Sequence, residues 1–215
     1  MGKLIFLMTV LGVFSALQAA AATCPGTVVF QDPFTAANAN LNVAALDTST
    51  VSIAGGKATI APTKPSIWRG LIYFTDQYGD ASVCTTFNTL ATDKLENQDA
   101  GVIFWAKDYG SFYAFVASPG VGTFAVLQMV PGATSFAVAL PWTASSAIQK
   151  VAGAPQSLRV QTKGTQALLF INDQQVGTMT TGAPPVGGGL VGMYGGSSDT
   201  SASTLVFTGF TVAIQ

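Results

Sequence analysis

Apolar residues recur at every second position in runs of seven or eight residues, and Gly- or Pro-bearing connectors separate the runs. The clearest runs are IWRGLIYF (67–74), ASVCTTFN (81–88), AGVIFWAK (100–107), FYAFVAS (112–118), TFAVLQMV (123–130), SLRVQTK (157–163) and QALLFIN (166–172). A period of two belongs to strands with one face buried, and the enrichment in Val, Ile, Phe and Thr fits that reading. No stretch sustains three turns of helical periodicity; the best short candidate is ASSAIQK (144–150). The chain is therefore all-β.

Alternation also assigns faces. In SLRVQTK, Leu158 and Val160 point inward while Arg159, Gln161 and Lys163 point out. In AGVIFWAK the two sets are Val102, Phe104, Ala106 and Ile103, Trp105, Lys107, so Trp105 is expected to share a face with Lys107, either the solvated side of a sheet or a concave surface whose aromatics stack on a ligand. On that reading Trp105→Ala costs less stability than Phe104→Ala. The connectors DYGS, PGVG and PGA make residues 100–140 an antiparallel meander, and Asn172-Asp173 ends one strand before the next begins. Many short strands without helices imply two packed sheets, an antiparallel jelly-roll sandwich.

The N-terminus reads differently. Lys3 precedes an apolar segment, Leu4 to Leu17, too short to span a bilayer, and Ala20 and Ala22 supply an A-x-A cleavage site. Residues 1–22 are therefore expected to be a signal peptide and 23–215 a single exported domain, secreted or periplasmic, with no membrane span after cleavage. Export makes a bond between the two cysteines, Cys24 and Cys84, the simplest expectation. Nine basic and ten acidic residues offer no basic footprint for nucleic acid.

The succession GDASVCTTF, DAGVIFWAKDYGSFYAFVASPGVGTFAVLQMV, LRVQTKGTQALLFINDQQVG, GGGLVGMYG and LVFTGFTVAI resembles the concanavalin A-like lectin/glucanase sandwiches. More narrowly it resembles laminin-G-like and 3-keto-disaccharide hydrolase-type domains of secreted bacterial proteins. The resemblance covers nearly all of the expected mature chain. It implies a two-sheet jelly roll, and carbohydrate or another extracellular polymer as partner. Asn172-Asp173 stands where those domains carry Asn-Gly, and Gly188, Gly189 and Gly192 match their glycine segment.

Glycoside hydrolysis generally needs two carboxyls across the scissile bond. Laminarinase-like members of the superfamily carry them as E-x-D-x-x-E on one strand. That motif is absent here. The single glutamate, Glu96, lies in TDKLENQD (92–99), where Asp93, Glu96 and Asp99 recur every third residue, as in a polar loop. Such a loop suits at most a weak Ca²⁺ site, and no cofactor is implied. With no histidine, Ser-His-Asp and Cys-His triads are excluded.

Aromatic side chains remain as ligand platforms, because sugar C–H groups pack on flat apolar rings. The candidates are Trp68, Trp105, Tyr109 and Trp142, with Arg69, Lys107, Asp108 and Gln128 as polar partners for hydroxyls. These features favour a non-catalytic module that binds glycans or another polymer. A glycosidase using Asp93, Glu96, Asp99 or Asp108 is the second reading, and a structural surface-assembly protein the third.

Overall fold

The computed structural model describes residues 23–43, 46–89, 98–180, 182–197 and 202–215. The expected signal peptide, Asp93 and Glu96 lie outside them. Among the described residues fourteen strands are formed: β1 (Thr27–Asp32), β2 (Ser49–Ala54), β3 (Lys57–Pro62), β4 (Trp68–Tyr78), β5 (Ala81–Thr89), β6 (Gln98–Asp108), β7 (Ser111–Ser118), β8 (Thr123–Met129), β9 (Ala137–Ala144), β10 (Pro155–Lys163), β11 (Gln166–Ile171), β12 (Gln174–Met179), β13 (Gly189–Ser197) and β14 (Leu205–Ile214). Every pairing is antiparallel.

The strands make two sheets. One runs β12-β11-β10-β5-β14-β3-β2, and the other, six-stranded, runs β4-β13-β6-β7-β8-β9. β14 holds the first sheet together by using one edge twice: its start pairs with β3 through Leu205–Phe207, and its end pairs with β1 through Phe210–Ile214. The meander expected for residues 100–140 is the run β6-β7-β8-β9. Asn172 and Asp173 both take positive φ, 49° and 62°, as a two-residue hairpin with right-handed strand twist requires. The 144–150 segment forms no helix; its Ser145 Oγ accepts from the Ala147 N–H and its Ala147 and Ile148 are buried. Among the described residues no helix is long and apolar enough to cross a membrane.

Between the sheets lies the main core, built around Phe34, Phe87, Phe104, Phe115, Phe207 and Phe210, all fully buried. Leu158 and Val160 point into it while Arg159 lies outside, with its guanidinium 3.8 Å from the centre of the Phe170 ring. Cys24 and Cys84 are bonded, with Cα atoms 5.8 Å apart. The opposite face of the six-stranded sheet is also apolar. Ile72, Ile103, Ala114, Val116 and Ala125 are buried there at 0% exposure, so this surface is a second hydrophobic layer rather than a wetted one.

Candidate functional site

A pocket of about 300 Å³ opens beside edge strand β4, lined by Asn42, Leu46, Trp68, Arg69, Gly70 and Tyr109. Three separate pieces of chain build it. β4 contributes Trp68, Arg69 and Gly70, and the β6–β7 turn contributes Tyr109, after the Asp108 carboxylate accepts from the Gly110 N–H at 2.7 Å. The third piece supplies Asn42 and Leu46, and its residues 39–43 are laid along the β4 edge by two backbone bonds: the Asn42 N–H donates to the Ile72 carbonyl at 3.3 Å and the Phe74 N–H to the Asn40 carbonyl at 2.8 Å.

The entry of that segment is fixed from inside the core. Asp32 accepts from the Phe34 N–H at 2.8 Å and from the Tyr73 hydroxyl at 3.0 Å. Burial, reinforced by the neighbouring Asp32 carboxylate, keeps Tyr73 protonated far above its ordinary range. Residues 39–43 then wall a second, more open pocket of about 440 Å³ with Phe74, and Asn42 belongs to both.

Arg69 is the charged residue of the smaller pocket's lining and is only 6% exposed. Burial holds its guanidinium below the ordinary value, and the nearby Tyr109 acts in the opposite direction. Burial likewise pushes Tyr109 up, offset in part by Asn42, the Arg69 charge and the Ile72 backbone. Flat apolar rings, a buried cation and an amide thus converge on one cavity. That is the composition of a small-molecule site, apolar walls with a few placed polar groups.

Beyond the pocket the sheet face is filled by the protein's own rings. Trp68 stacks on Tyr194 at 6.4 Å and meets the edge of Phe136 at 5.0 Å, while Phe136 also contacts Phe112 at 5.9 Å and Tyr194 at 5.7 Å. Asp99 sits at the margin of this layer. It belongs to β6, not to a polar loop as its spacing suggested. Burial raises its carboxyl to about 6, against which a hydrogen bond from Ser118 acts. Its charge, after burial, helps to raise the Tyr194 hydroxyl.

A carboxyl with a folded-state pKa above its unfolded value makes stability greatest in acid. For Asp99 that contribution is whole below about pH 4, falls as pH rises through about 6, and is level thereafter. Asp99→Asn is therefore expected to gain about 2–3 kcal/mol over the natural protein at pH 7–8 and nothing below pH 4. Denaturant midpoints of both proteins across pH check this. A difference that does not change with pH would remove the titration argument.

Of the eight binding residues expected from sequence, the fold brings Trp68, Arg69 and Tyr109 together, while Asp108 closes the adjoining turn and Gln128 lies on β8, both outside the pocket lining. Lys107 is exposed near the end of β6, outside the pocket lining. Trp142 is 43% exposed on β9, the opposite edge of the six-stranded sheet from β4, so it cannot share a site with Trp68.

Trp105 departs from the expectation. It is 3% exposed and packs in the main core against Phe104 at 5.1 Å and Tyr113 at 5.8 Å. The cause is a bulge. Phe104 pairs with Tyr113 and Asp108 with Ser111, so Trp105, Ala106 and Lys107 stand opposite the single residue Phe112. Trp105 takes φ 49°, which turns its side chain back to the side Phe104 occupies, and Ala106 goes to the outer layer instead. Gly189 packs on the Trp105 backbone and Gly182 on its ring, too close for a Cβ at either position. Sequence reasoning missed Asn42 and Leu46, which lie in an aperiodic segment and carry no pattern to find them by.

The sequence matches no family model and no curated protein. Solved structures do match. A Bacillus licheniformis beta-glucanase superposes with TM-score 0.56 at 11% identity, covering 88% of this chain and 99% of its own. A Bacteroides ovatus mixed linkage glucan GH16 protein in complex with its product gives 0.58 at 7%, covering 86% and 100%. The carbohydrate binding module CBM66 from Bacillus subtilis gives 0.51 at 12%, covering 89% and 99%. The fold is the concanavalin A-like sandwich. Hydrolases and binding modules share it, so the fold admits both functions and selects neither.

Proposed function

We propose that this chain is an exported, non-catalytic module that binds carbohydrate through the pocket at the β4 edge. The observation that carries the reading is the convergence of Trp68, Tyr109, Arg69 and Asn42 on one cavity of about 300 Å³. Rings there offer apolar faces to sugar C–H groups, and the amide and guanidinium offer donors to hydroxyls. Structural neighbours include a protein named as a carbohydrate binding module, which supports the class. The disulfide fits an oxidising compartment.

Binding without turnover is favoured by the carboxylates. The pocket lining contains none, and among the described residues no three His, Cys, Asp or Glu side chains are grouped to hold a metal ion. Among the described residues Asp99 interacts with Ser118 and Tyr194 and with no second carboxyl, whereas glycosidic cleavage generally uses a pair.

A glycan array probed with residues 23–215 is expected to show binding to at least one oligosaccharide series, with no reducing sugar released on incubation. Tyr109→Ala should weaken that binding at least about tenfold, a loss of ~1.4 kcal/mol or more for a central aromatic contact. Tyr109 also packs on Phe74 and the outer layer, so the variant's melting temperature should fall somewhat and affinity is compared per folded molecule. An array blank across neutral and acidic glycans would end the carbohydrate reading. Reducing sugar released in proportion to protein would replace it with the hydrolase one.

A further inference from the structure

We infer that the site takes the end of a glycan chain rather than a stretch from its middle. This rests on the carbohydrate reading and narrows it. A running chain needs an open trough several sugars long. The broad face of the six-stranded sheet would be the place for one, but Ile72, Ile103, Ala114, Val116 and Ala125 are wholly buried on it. Its Phe112, Phe136 and Tyr194 rings pack on one another and on the side of Trp68 away from the pocket. A sugar chain laid across this surface would have to displace that packing.

Among the described residues, an open pocket lies at the sheet's margin. The pocket there, about 300 Å³, stands at the lower limit of ordinary small-molecule sites. It is bounded on the inner side by Trp68, which the Phe136 and Tyr194 rings hold in place, and on the outer side by Leu46 and Asn42. Past Asn42 the more open pocket of residues 39–43 and Phe74 continues along the same edge. A terminal sugar seated against Trp68 and Tyr109 has the aromatic cluster on its Trp68 side, so on this inference the rest of its chain leaves over Asn42. A chain entering from one side and leaving from the other would meet the aromatic cluster.

The two modes count ligands differently. End recognition depends on the molar number of chain termini, while recognition of an internal stretch depends on mass and improves with length. The test uses residues 23–215 on an array of β-glucan, xylan, galactan and fructan oligosaccharides, each in short and long forms coupled through the reducing end. The series that binds is then used as a soluble polymer competitor, intact and after limited cleavage by an endo-acting hydrolase. We expect equal array signals for short and long members at equal molar loading. Competitor potency per unit mass should rise in proportion to the new ends. Signal that grows with chain length, and potency that falls on cleavage, would overturn the inference and leave the carbohydrate reading standing. No binding in any series would remove the carbohydrate reading itself and this inference with it.

Discussion

Truncating Trp105 to alanine is expected to lower the unfolding free energy by about 3–5 kcal/mol, as much as Phe104→Ala, through the cavity each leaves in the core. The side chain is 3% exposed, lies 5.1 Å from Phe104 and 5.8 Å from Tyr113, and is covered by Gly182. A second substitution separates packing from backbone. Trp105 has φ 49°, where alanine keeps the steric penalty of a Cβ and glycine does not. In an ordinary strand position glycine is the worse replacement by about 0.5–1 kcal/mol. Here Trp105→Gly is expected to be no worse than Trp105→Ala. Urea midpoints of the three variants decide it. If Trp105→Ala costs under about 1.5 kcal/mol, the lower limit for fully burying a large apolar side chain, the ring is not core. If glycine is clearly worse than alanine, the bulge does not hold the left-handed conformation.

That one residue shows where reading the chain from its sequence stops. Alternation is a local signal, and it holds wherever two strands stay in register, as in Leu158 and Val160 against Arg159. It fails at Trp105 because register there is set by β7 and by Gly189 of β13, which lies more than eighty residues along the chain. The candidate site divides the same way. Trp68, Arg69 and Tyr109 are identifiable as types of residue, but their meeting depends on the order β4-β13-β6, which no local pattern encodes. The same order puts Trp142 on the far edge. Asn42 enters the site through bonds between an aperiodic segment and distant residues: Asp32 and Tyr73 at its start, Ile72 and Phe74 along its length.

Breaking the Cys24–Cys84 bond is the other change of large expected effect, about 4 kcal/mol from loop closure over the sixty-residue separation. Position decides how the loss shows. Cys84 is 2% exposed in β5, between β10 and β14, and so sits in the middle of the eight-stranded sheet. Cys24 precedes β1, whose Val28 and Val29 are about half exposed and which pairs with β14 alone. Phe30 packs on Tyr73 and Phe210, but the Thr27–Val29 end of β1 has little apolar cover and depends on the bond, so reduction should release β1 first, starting from that end. The double variant Cys24→Ser, Cys84→Ser is expected to lose about 4 kcal/mol in urea unfolding, with fast amide exchange appearing in Thr27–Asp32 before any other strand. The non-reduced protein should show no alkylatable thiol. A loss under about 1 kcal/mol with β1 still protected would mean that pairing with β14 suffices and the cross-link adds little. The dependence also ties the fold to its compartment. Protein made where thiols stay reduced would forgo this stabilisation, so a cytosolic preparation is expected to match the double variant until it is oxidised.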